Sequence, residues 1–248
     1  MLLEIYDIDC WKNFFDLIHD SASVIEMQLT QDKCSISLLN NSHVCFYTVE
    51  YDKDFFNEYD VDGAESVLIF VADFYNIIKT AKNNDRLELS NDELNLKIVL
   101  EHEDNRRVFE IPLAEDYGQS PTPPTVPVEV EFELPLKELK QPCTDLNRII
   151  KTDRFKMKVS DEVLEIVSPN DAMTKYNQRF IIDNTGTASS TVNIGYVEDL
   201  MKLSKISDFV IFGLGNNIPL TWKINSADGF VRVSGLIAPI IEDDDGEF

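Results

Sequence analysis

Eight of the lysine and arginine residues lie on four stretches in which apolar residues recur at helical spacing. These helix candidates are residues 9–20, 72–82, 135–148 and 196–206, and their basic residues are Lys12, Lys79, Lys82, Lys137, Lys140, Arg148, Lys202 and Lys205. The same stretches contain eight acidic residues, several of them in a first turn, where the helix dipole stabilises a carboxylate. Basic groups in the middle and later turns are suited to contact the phosphates of a nucleic acid.

The rest of the chain is strongly acidic. The whole sequence has 22 Lys and Arg against 45 Asp and Glu, which gives a net charge of −23. Because the four helix candidates are neutral, the residues outside them carry all of that excess. If the helices share one surface, that surface is weakly basic on an acidic body and can attract DNA loosely. Ordinary solvated lysines on helix faces are the alternative interpretation.

The sequence has no pattern typical of base-specific recognition or of catalysis. Aromatic residues are not interleaved with the helix bases, which disfavours a platform for stacking single-stranded bases. Helix-turn-helix, zinc-finger and RNP motifs do not occur, nor do the glycine motifs of phosphate loops and nucleophile elbows. The three histidines, His19, His43 and His102, have no metal-ligand partner at i+3 or i+4. We therefore expect a binding or scaffold protein with no catalytic residues, metal or cofactor.

Other residue groups have ordinary explanations. Asp243, Asp244 and Asp245 could bind a divalent cation weakly, but a short acidic end is typical of a solubilising tail. The four cysteines lack C-x-x-C spacing and are expected to be buried thiols. No apolar run approaches the roughly 20 residues that span a bilayer. The first ten residues lack the basic region of a signal peptide, so we expect a soluble intracellular protein.

Four prolines between Pro121 and Pro127 divide the chain near its middle. Proline has no N–H and a fixed φ, so this run predicts a semi-extended segment. We assign residues 114–127 as a connector between a first domain, 1–113, and a second domain, 128–241. Residues 242–248 form the acidic tail.

The two sides of the connector repeat one order of predicted elements. Matching strand–helix–strand–strand runs begin at Val67 and Thr191, and the opening strands match at Leu3 and Val130. This pattern predicts an α+β fold of two tandem similar domains, each with two helices packed on antiparallel sheets. Within it, Asp9 is the expected N-cap of the first helix, and residues 55–66 are expected to be irregular. The predicted strands include residues 24–29, 33–39, 163–167 and 173–182. Pro142 predicts that the third helix kinks or does not begin as an α-helix.

Several short motifs, in order and from end to end, resemble the proliferating cell nuclear antigen (PCNA) family, the DNA sliding clamps of archaea and eukaryotes. The motifs are Asn41–Val44, Phe56–Tyr59, Asp62–Gly63, Gly215–Leu220 and Leu236–Glu242. The connector is most similar to that of archaeal clamps. The resemblance implies a DNA clamp fold in which three subunits close head to tail into a ring, and it places the eight helix bases on or near the lining of the hole.

The resemblance also implies a pocket for short partner peptides beneath the connector. Carried over to this sequence, the pocket residues are Leu39, Ser42, His43, Pro124, Val126, Pro219, Ala238, Pro239 and Ile241. Ile240 departs from the family, which usually has Lys or Arg at this position. The ring contacts would join two edge strands, one with Arg107, Phe109 and Ile111 and the other with Lys175, Tyr176 and Arg179.

The expected function is a DNA polymerase processivity factor that encircles duplex DNA without sequence preference and is not an enzyme. Its implied partners are duplex DNA, a DNA polymerase, a clamp loader, a flap nuclease, a ligase and further copies of itself as a homotrimer, with no membrane. One alternative is a subunit of a heterotrimeric accessory or checkpoint-type clamp. A second alternative is an acidic DNA mimic that inhibits a nuclease or polymerase. The protein would be cytoplasmic if archaeal and nuclear if eukaryotic.

Overall fold

A computed structural model describes residues 1–82, 84–115 and 120–241. The helices are α1 (Ile8–Ile18), α2 (Val71–Ile78), α3 (Lys140–Asp145) and α4 (Ile194–Asp199). The strands before the connector are β1 (Leu2–Ile5), β2 (Val24–Leu29), β3 (Lys33–Leu39), β4 (Cys45–Asp52), β5 (Glu58–Asp60), β6 (Glu65–Phe70), β7 (Arg86–Asn91), β8 (Asn95–His102) and β9 (Asn105–Pro112). Those after it are β10 (Val130–Pro135), β11 (Arg154–Ser160), β12 (Val163–Val167), β13 (Asn177–Ile181), β14 (Ala188–Asn193), β15 (Phe209–Leu214), β16 (Leu220–Asn225) and β17 (Val231–Ile237).

The chain forms two compact units. The first comprises Met1–Pro123, Lys205–Ser207 and Asn225–Ser234, and the second comprises Pro124–Ser204, Asp208–Ile224 and Gly235–Phe248. The α+β class is confirmed, and the element order of the two halves repeats except that β5 has no counterpart. The domain limits drawn from the sequence stay a prediction. The acidic tail at 242–248, with Asp243 to Asp245, lies outside the described residues, as do residues 116–119 of the connector.

Antiparallel sheets build both units. In the first unit, one run of paired strands has the order β5-β1-β7-β8-β9 and another has the order β6-β2-β3-β4. At the end of β4, the amide of Asp52 donates to the carbonyl of Phe230, which lies just before β17, at 2.8 Å. The second unit has the orders β13-β12-β11-β14 and β10-β15-β16. Alternate residues of most strands are buried, as expected for sheets with one face on a core.

The core of the first unit explains how its two helices are held. Trp11, Phe14 and Phe15 on α1 are fully buried, as is Phe74 on α2. The rings of Phe15 and Phe74 lie 4.7 Å apart, so the apolar stripes of the two helices face each other. The polar side of each helix is left for other contacts. The four cysteines are buried and free, as predicted.

The first helix begins at Ile8, so the prediction of Asp9 as its N-cap is wrong. The N-cap position is Asp7, which makes no side-chain capping bond, and Asp9 lies within the first turn. Only Tyr6 and Asp7 separate β1 from α1, so the helix starts directly after the strand. Asp9 remains in the region where the helix dipole favours a carboxylate.

The second helix ends at Ile78, four residues before its predicted end. The amides of Thr80 and Ala81 donate to the carbonyls of Ile77 and Ile78 in a tighter final turn, and two side chains add further hydrogen bonds. The Thr80 hydroxyl donates to the carbonyl of Ile77 at 2.8 Å, and the Lys12 ammonium donates to that of Ala81 at 3.0 Å. The fourth helix is also shorter than predicted, since residues Leu200–Lys205 form a 3₁₀ segment.

The third helix confirms that Pro142 prevents an α-helix from beginning at Pro135. Residues Leu136–Leu139 are 3₁₀, α3 starts at Lys140, and Leu146–Ile150 form a π-helical turn. Pro142 therefore lies in the first turn of α3, where an amide has no partner within the helix and its absence costs nothing.

Two strand predictions need correction. Residues 55–66 were expected to be irregular, but β5 lies among them because Glu58–Asp60 pair with Leu2–Glu4 of β1. The strand expected over residues 173–182 is shorter, since β13 begins at Asn177, where its pairing with Val167 of β12 starts.

Candidate functional site

The three helix bases of the first unit, Lys12, Lys79 and Lys82, lie on α1 and just after α2. Lys79 is exposed and lies over the ring of Tyr75, with its Nζ 5.3 Å from the ring centroid. The Tyr75 ring stacks on His19 at 4.5 Å, and its hydroxyl donates to Asp16. That hydrogen bond to a carboxylate raises the pKa of Tyr75 to about 12, so the phenol keeps its proton.

This cluster corrects the expectation that no aromatic residue accompanies the helix bases. Tyr75 precedes Lys79 by four residues, which places both on one face of α2. The pattern Tyr-x-x-x-Lys was visible in the sequence, but His19 joins only because α1 packs against α2. With a single stacked pair, the face still lacks the series of aromatic residues of a single-strand platform.

Lys12 and Arg107 are directed to the end of α2. Lys12 binds the carbonyl of Ala81, and Arg107 on β9 reaches the hydroxyl of Thr80 at 2.9 Å and its carbonyl at 3.3 Å. Arg107 also lies 3.3 Å from the carboxylate of Asp85, which is 1% exposed and accepts from the amide of Lys82. Lys12 is thus placed beside the α2 end, and exposed Lys79 and Lys82 are the more accessible bases.

The remaining helix bases also reach solvent. Lys137, Lys140, Arg148 and Lys205 are exposed, and Lys202 pairs with Asp199 one turn earlier at 2.9 Å. Within the second unit, Lys137 and Lys140 line a cavity of about 390 Å³ together with Met201 and Phe209. The 3₁₀ start of the third helix therefore brings two ammonium groups to one surface depression, which the sequence did not predict.

Residues of the predicted peptide pocket are described in each unit separately. In the first unit, Leu39 is half-buried, and Ser42 and His43 are exposed in a turn that the Asn40 carboxamide holds through the amides of Val44 and Cys45. His43 has a left-handed φ of 57°. Loop residues of this kind can present side chains to a partner.

In the second unit, the predicted pocket residues range from half-buried to exposed. Val126, Pro219, Ala238 and Pro239 are half-buried, and Pro124 and Ile241 are exposed. Pro239, Ile240 and Ile241 line a polar cleft of about 280 Å³, whose other residues include Lys156, Ser190 and Asn217. The amide of Ile240 donates to the carbonyl of Thr191 at 2.7 Å, which ties this segment to β14. Sequence reasoning missed Lys156, because its burial depends on this packing.

Of the predicted subunit contacts, Arg107, Phe109, Ile111 and Arg179 lie on two strands that each end a sheet, β9 and β13, whereas Lys175 and Tyr176 come just before β13. Phe109 is half-buried and Ile111 is buried, while Arg107 makes the contacts with α2 described above. Lys175 and Arg179 are exposed, and burial raises the pKa of Tyr176 to about 12. The sequence analysis missed two exposed apolar residues on these strands, Val108 and Ile181, although their alternation with buried neighbours was readable.

In the three described ranges, no group of three or more His, Cys, Asp or Glu residues could hold a metal ion. None of the helices in these ranges is both long and apolar enough to cross a membrane.

The sequence and the fold match known proteins over almost the whole chain. A family model for the N-terminal domain of proliferating cell nuclear antigen matches residues 3–115. A "DNA polymerase sliding clamp" of Methanothermobacter thermautotrophicus is 31% identical over 243 residues, which cover 96% of this chain and 97% of the relative. The clamp of Methanobrevibacter smithii is 28% identical and covers 98% of each chain.

Solved structures share the fold at lower identity. A chain of the PCNA2–PCNA3 complex from Sulfolobus tokodaii superposes with a TM-score of 0.86 at 24% identity and covers 98% of this chain and all of its own. The A. fulgidus PCNA bound to the C-terminal region of FEN-1 has a TM-score of 0.87 at 18% identity, covering 98% of this chain and 99% of its own. With the identity to the archaeal clamps, these findings show that the chain belongs to the proliferating cell nuclear antigen family of DNA sliding clamps.

Proposed function

We propose that this protein is a DNA sliding clamp: three copies close into a ring around duplex DNA and tether replication and repair enzymes to it. The observation that carries the proposal is the end-to-end match to curated DNA polymerase sliding clamps, at 31% identity over 96% of the chain. The clamp itself catalyses nothing, and its contribution to synthesis is to keep an enzyme at the DNA.

The electrostatics suit a loose hold on DNA. Exposed lysines just after α2, on the third helix and after α4 supply phosphate contacts, whereas the protein as a whole carries −23. Phosphate contacts carry no sequence information, so they permit movement along the duplex. The acidic remainder repels DNA from other surfaces.

In a closed ring, encirclement of the duplex would keep the protein on DNA, so a high affinity for DNA would not be needed. A closed ring cannot leave the duplex sideways, so a few screened ion pairs are enough to keep it on the DNA. An enzyme bound to the ring is then held near the primer end at a high effective concentration, which lengthens synthesis without any new contact to the DNA.

Partners would dock through short peptides at the residues predicted for the pocket. The A. fulgidus relative was solved with the C-terminal region of FEN-1, which supports a peptide mode for a flap nuclease here. A polymerase, a loader and a ligase are proposed to use the same site. Ile240 lines the cleft beside Pro239 and Ile241, so the segment is apolar where a basic residue is usual.

A heterotrimeric ring is the second candidate, because the Sulfolobus tokodaii structure is a complex of two different clamps. No residue or contact in the described ranges favours the acidic DNA mimic over a clamp. The cellular location stays a prediction, cytoplasmic for an archaeal protein and nuclear for a eukaryotic one.

Primer extension tests the proposal. A replicative polymerase with a compatible loader copies a singly primed circular template, with and without this protein, under single-turnover conditions. We expect longer products per binding event with the protein. Equal product lengths at every concentration of the protein would contradict the clamp function.

A further inference from the structure

The second unit has a cavity of about 390 Å³ beside the 3₁₀ start of the third helix. Backbone contacts set its frame. Pro135, the last residue of β10, pairs with Phe209, the first residue of β15. The amide of Leu136 donates to the carbonyl of Asp208 at 2.8 Å. The cavity is therefore formed by the fold itself, and its volume is near the lower end of the range of roughly 300–1,000 Å³ that is typical of ligand sites.

Apolar side chains form much of the cavity wall. Among them, Leu136 is buried and Met201 is half-buried. The Phe209 side chain is 45% exposed, although Val210 next to it is buried. An exposed aromatic ring at the wall of a cavity can pack against an apolar group that enters the cavity. The wall thus offers a binding place for the apolar side chain of another molecule.

Two ammonium groups line the same cavity. Lys137 and Lys140 are exposed, and residues three apart in a 3₁₀ turn lie on one side of it. Among the described residues, neither ammonium forms an ion pair, whereas Lys202 binds Asp199. Asp208 is the one carboxylate of the described lining, so the cavity has a net positive charge. Since the whole protein carries −23, the sign of the charge is reversed locally.

DNA does not account for the apolar wall. Phosphate contacts need positive charge at a surface and no apolar cavity, because the phosphates of a duplex lie on its outside. A platform for single-stranded bases needs a series of aromatic residues, and Phe209 is the one aromatic residue of the described lining. The combination favours a ligand that carries an apolar group beside its negative charge.

The polar groups of the lining favour a protein segment over a free small molecule. Sites for small molecules fix their ligand with a few precisely placed polar groups. Here the polar residues of the described lining are all exposed and not held by burial, namely Lys137, Lys140, Ser204 and Asp208. An ammonium on a flexible stem selects charge more than shape. Such groups suit carboxylates that a peptide chain holds in place.

We propose that this cavity is a docking site for an acidic segment of a partner protein, selected by charge complementarity. An apolar side chain of the segment packs against Met201 and Phe209, and carboxylates beside it bind Lys137 and Lys140. The inference rests on the proposed function, in which the clamp tethers enzymes, and it adds a second attachment that uses other residues than the predicted peptide pocket. Two contacts with one partner raise the effective concentration, so a weak second site lengthens retention.

NMR of the methionine methyl groups reports on this cavity directly. The chain has five methionines, of which Met201 lines the cavity. Met173 is fully exposed and reports on non-specific binding, whereas Met27 and Met157 are buried and report on folding. The full chain, isotope-labelled at its methionine methyl groups, is titrated with the peptide Asp-Glu-Phe-Glu-Asp. We expect a saturable shift of the Met201 signal and no shift of the Met173 signal.

Matched peptides separate the two parts of the site. One has Ala in place of the central Phe, and the other has Asn and Gln in place of the four acidic residues. Because the first lacks the apolar anchor and the second lacks the negative charges, neither should saturate the Met201 signal over the same concentration range. Saturation by either peptide at the concentration needed for the original would overturn the proposal.

Variants of the chain test the same two parts. Lys137→Ala with Lys140→Ala should weaken peptide binding by about tenfold, the size expected for two screened ion pairs. Lys53→Ala with Lys223→Ala removes the same charge from exposed lysines elsewhere and should bind like wild type. Phe209→Ala should also weaken binding, with unchanged signals of the two buried methionines as evidence that the variant is folded. Equal binding by wild type and the variant that lacks both cavity lysines would contradict the proposal.

Other occupants of the cavity give different results, and each of these overturns the proposal. A larger Met201 shift with duplex DNA than with the peptide would assign the two lysines to DNA, and a larger shift with phenylacetate would assign the cavity to a free small anion. A Met201 shift caused by Asp243→Asn with Asp244→Asn and Asp245→Asn, in the absence of peptide, would assign the cavity to the chain's own acidic end.

Primer extension separates this inference from the proposed function. A wild type that lengthens synthesis but shows no Met201 shift with the peptide overturns the docking site and leaves the clamp function intact. A wild type that binds the peptide at Met201 without lengthening synthesis supports the site and overturns the clamp function.

Discussion

At the scale of single residues, we propose that the exposed lysines are the parts of this clamp that hold DNA. Lys79 over Tyr75 and Lys202 beside Asp199 keep their positions through contacts within their own helices. The neighbouring carboxylates reduce the net positive charge. The account therefore predicts a weak, salt-sensitive hold, in which each base contributes little by itself.

Reversing two of these charges should weaken DNA binding. Lys79→Glu with Lys202→Glu replaces attraction to phosphate by repulsion, so we expect a lower affinity for duplex DNA. The slope of the logarithm of the binding constant against the logarithm of the salt concentration should also become smaller in magnitude, by about one unit for each phosphate that the protein no longer binds. Binding of the variant to duplex DNA is measured by titration at several salt concentrations. Lys53→Glu with Lys223→Glu changes the net charge equally on residues outside the helices and serves as the control. Identical curves for the two variants would mean that the helix lysines do not face DNA.

Arg107 should matter for folding. It links β9 to the end of α2 through Thr80 and lies beside the buried Asp85. Arg107→Ala leaves that carboxylate with fewer partners, and we expect it to lower the free energy of unfolding by about 1–3 kcal/mol. Denaturant unfolding gives the value. Arg106→Ala, on the same strand but exposed, is the control and should cost less than about 0.5 kcal/mol.

At the scale of elements, the sequence predicted the strands better than the helix ends. β2, β3 and β12 begin and end at the predicted residues. Their apolar and polar side chains alternate along the sequence, and this alternation directly predicts which residues are buried in a strand. The end of α2 was missed because Arg107 and Lys12, from two other elements, bind the carbonyls of Thr80 and Ala81 in the segment that follows the helix. β5 was missed because a three-residue strand exists only through its pairing with β1.

In the candidate site, too, local features could be predicted from the sequence, whereas features that depend on packing between elements could not. Spacing alone predicted that the lysines lie on or near helical segments, although Lys79 and Lys82 come after the end of α2. The stacking of His19 on Tyr75 and the burial of Lys156 depend on how elements pack, and no local pattern encodes them.

The third helix offers a test of its segmented form. Pro142 lies in the first turn of α3, so Pro142→Ala should change the free energy of unfolding by no more than about 1 kcal/mol. Leu146→Ala removes a side chain that is fully buried and should cost about 2–5 kcal/mol. Thermal or urea unfolding compares the two variants. A large loss in Pro142→Ala would show that the proline stabilises the segment in another way.

The start of the connector should be sensitive to acid. Ser120 and Ser66 both donate to the carboxylate of Glu26. These hydrogen bonds lower the pKa of Glu26, and the bond from Ser120 has the larger effect. A carboxyl group whose pKa is lower in the folded than in the unfolded protein stabilises the fold. This stabilisation is fully present when the pH is above the pKa of the unfolded state, and it is lost as the pH falls through the lower pKa of the folded state. Glu26→Gln should remove about 1 kcal/mol at neutral pH, the usual size of such a hydrogen bond, and the difference from wild type should shrink below about pH 4. Urea unfolding at pH 7 and at acid pH measures it, and a constant difference would refute the assignment.

At the scale of the whole molecule, the acidic net charge and the basic helices are compatible with DNA binding only if DNA contacts the surface that carries the helices. A protein of net charge −23 cannot hold DNA by charge alone. We propose that closure of three chains into a ring resolves this, because such a ring would keep the duplex beside the lysines while the acidic exterior repels it elsewhere.

Retention on DNA of different topology tests the ring most directly. The protein is loaded with a compatible loader onto nicked circular DNA, separated from free protein on a sizing column at moderate salt, and the DNA is then cut once with a restriction enzyme. The account predicts that protein stays on the circle and is released after the cut, because only the ends allow a closed ring to leave. Equal retention on circular and linear DNA would contradict the account, since it would show that binding depends on affinity and not on encirclement.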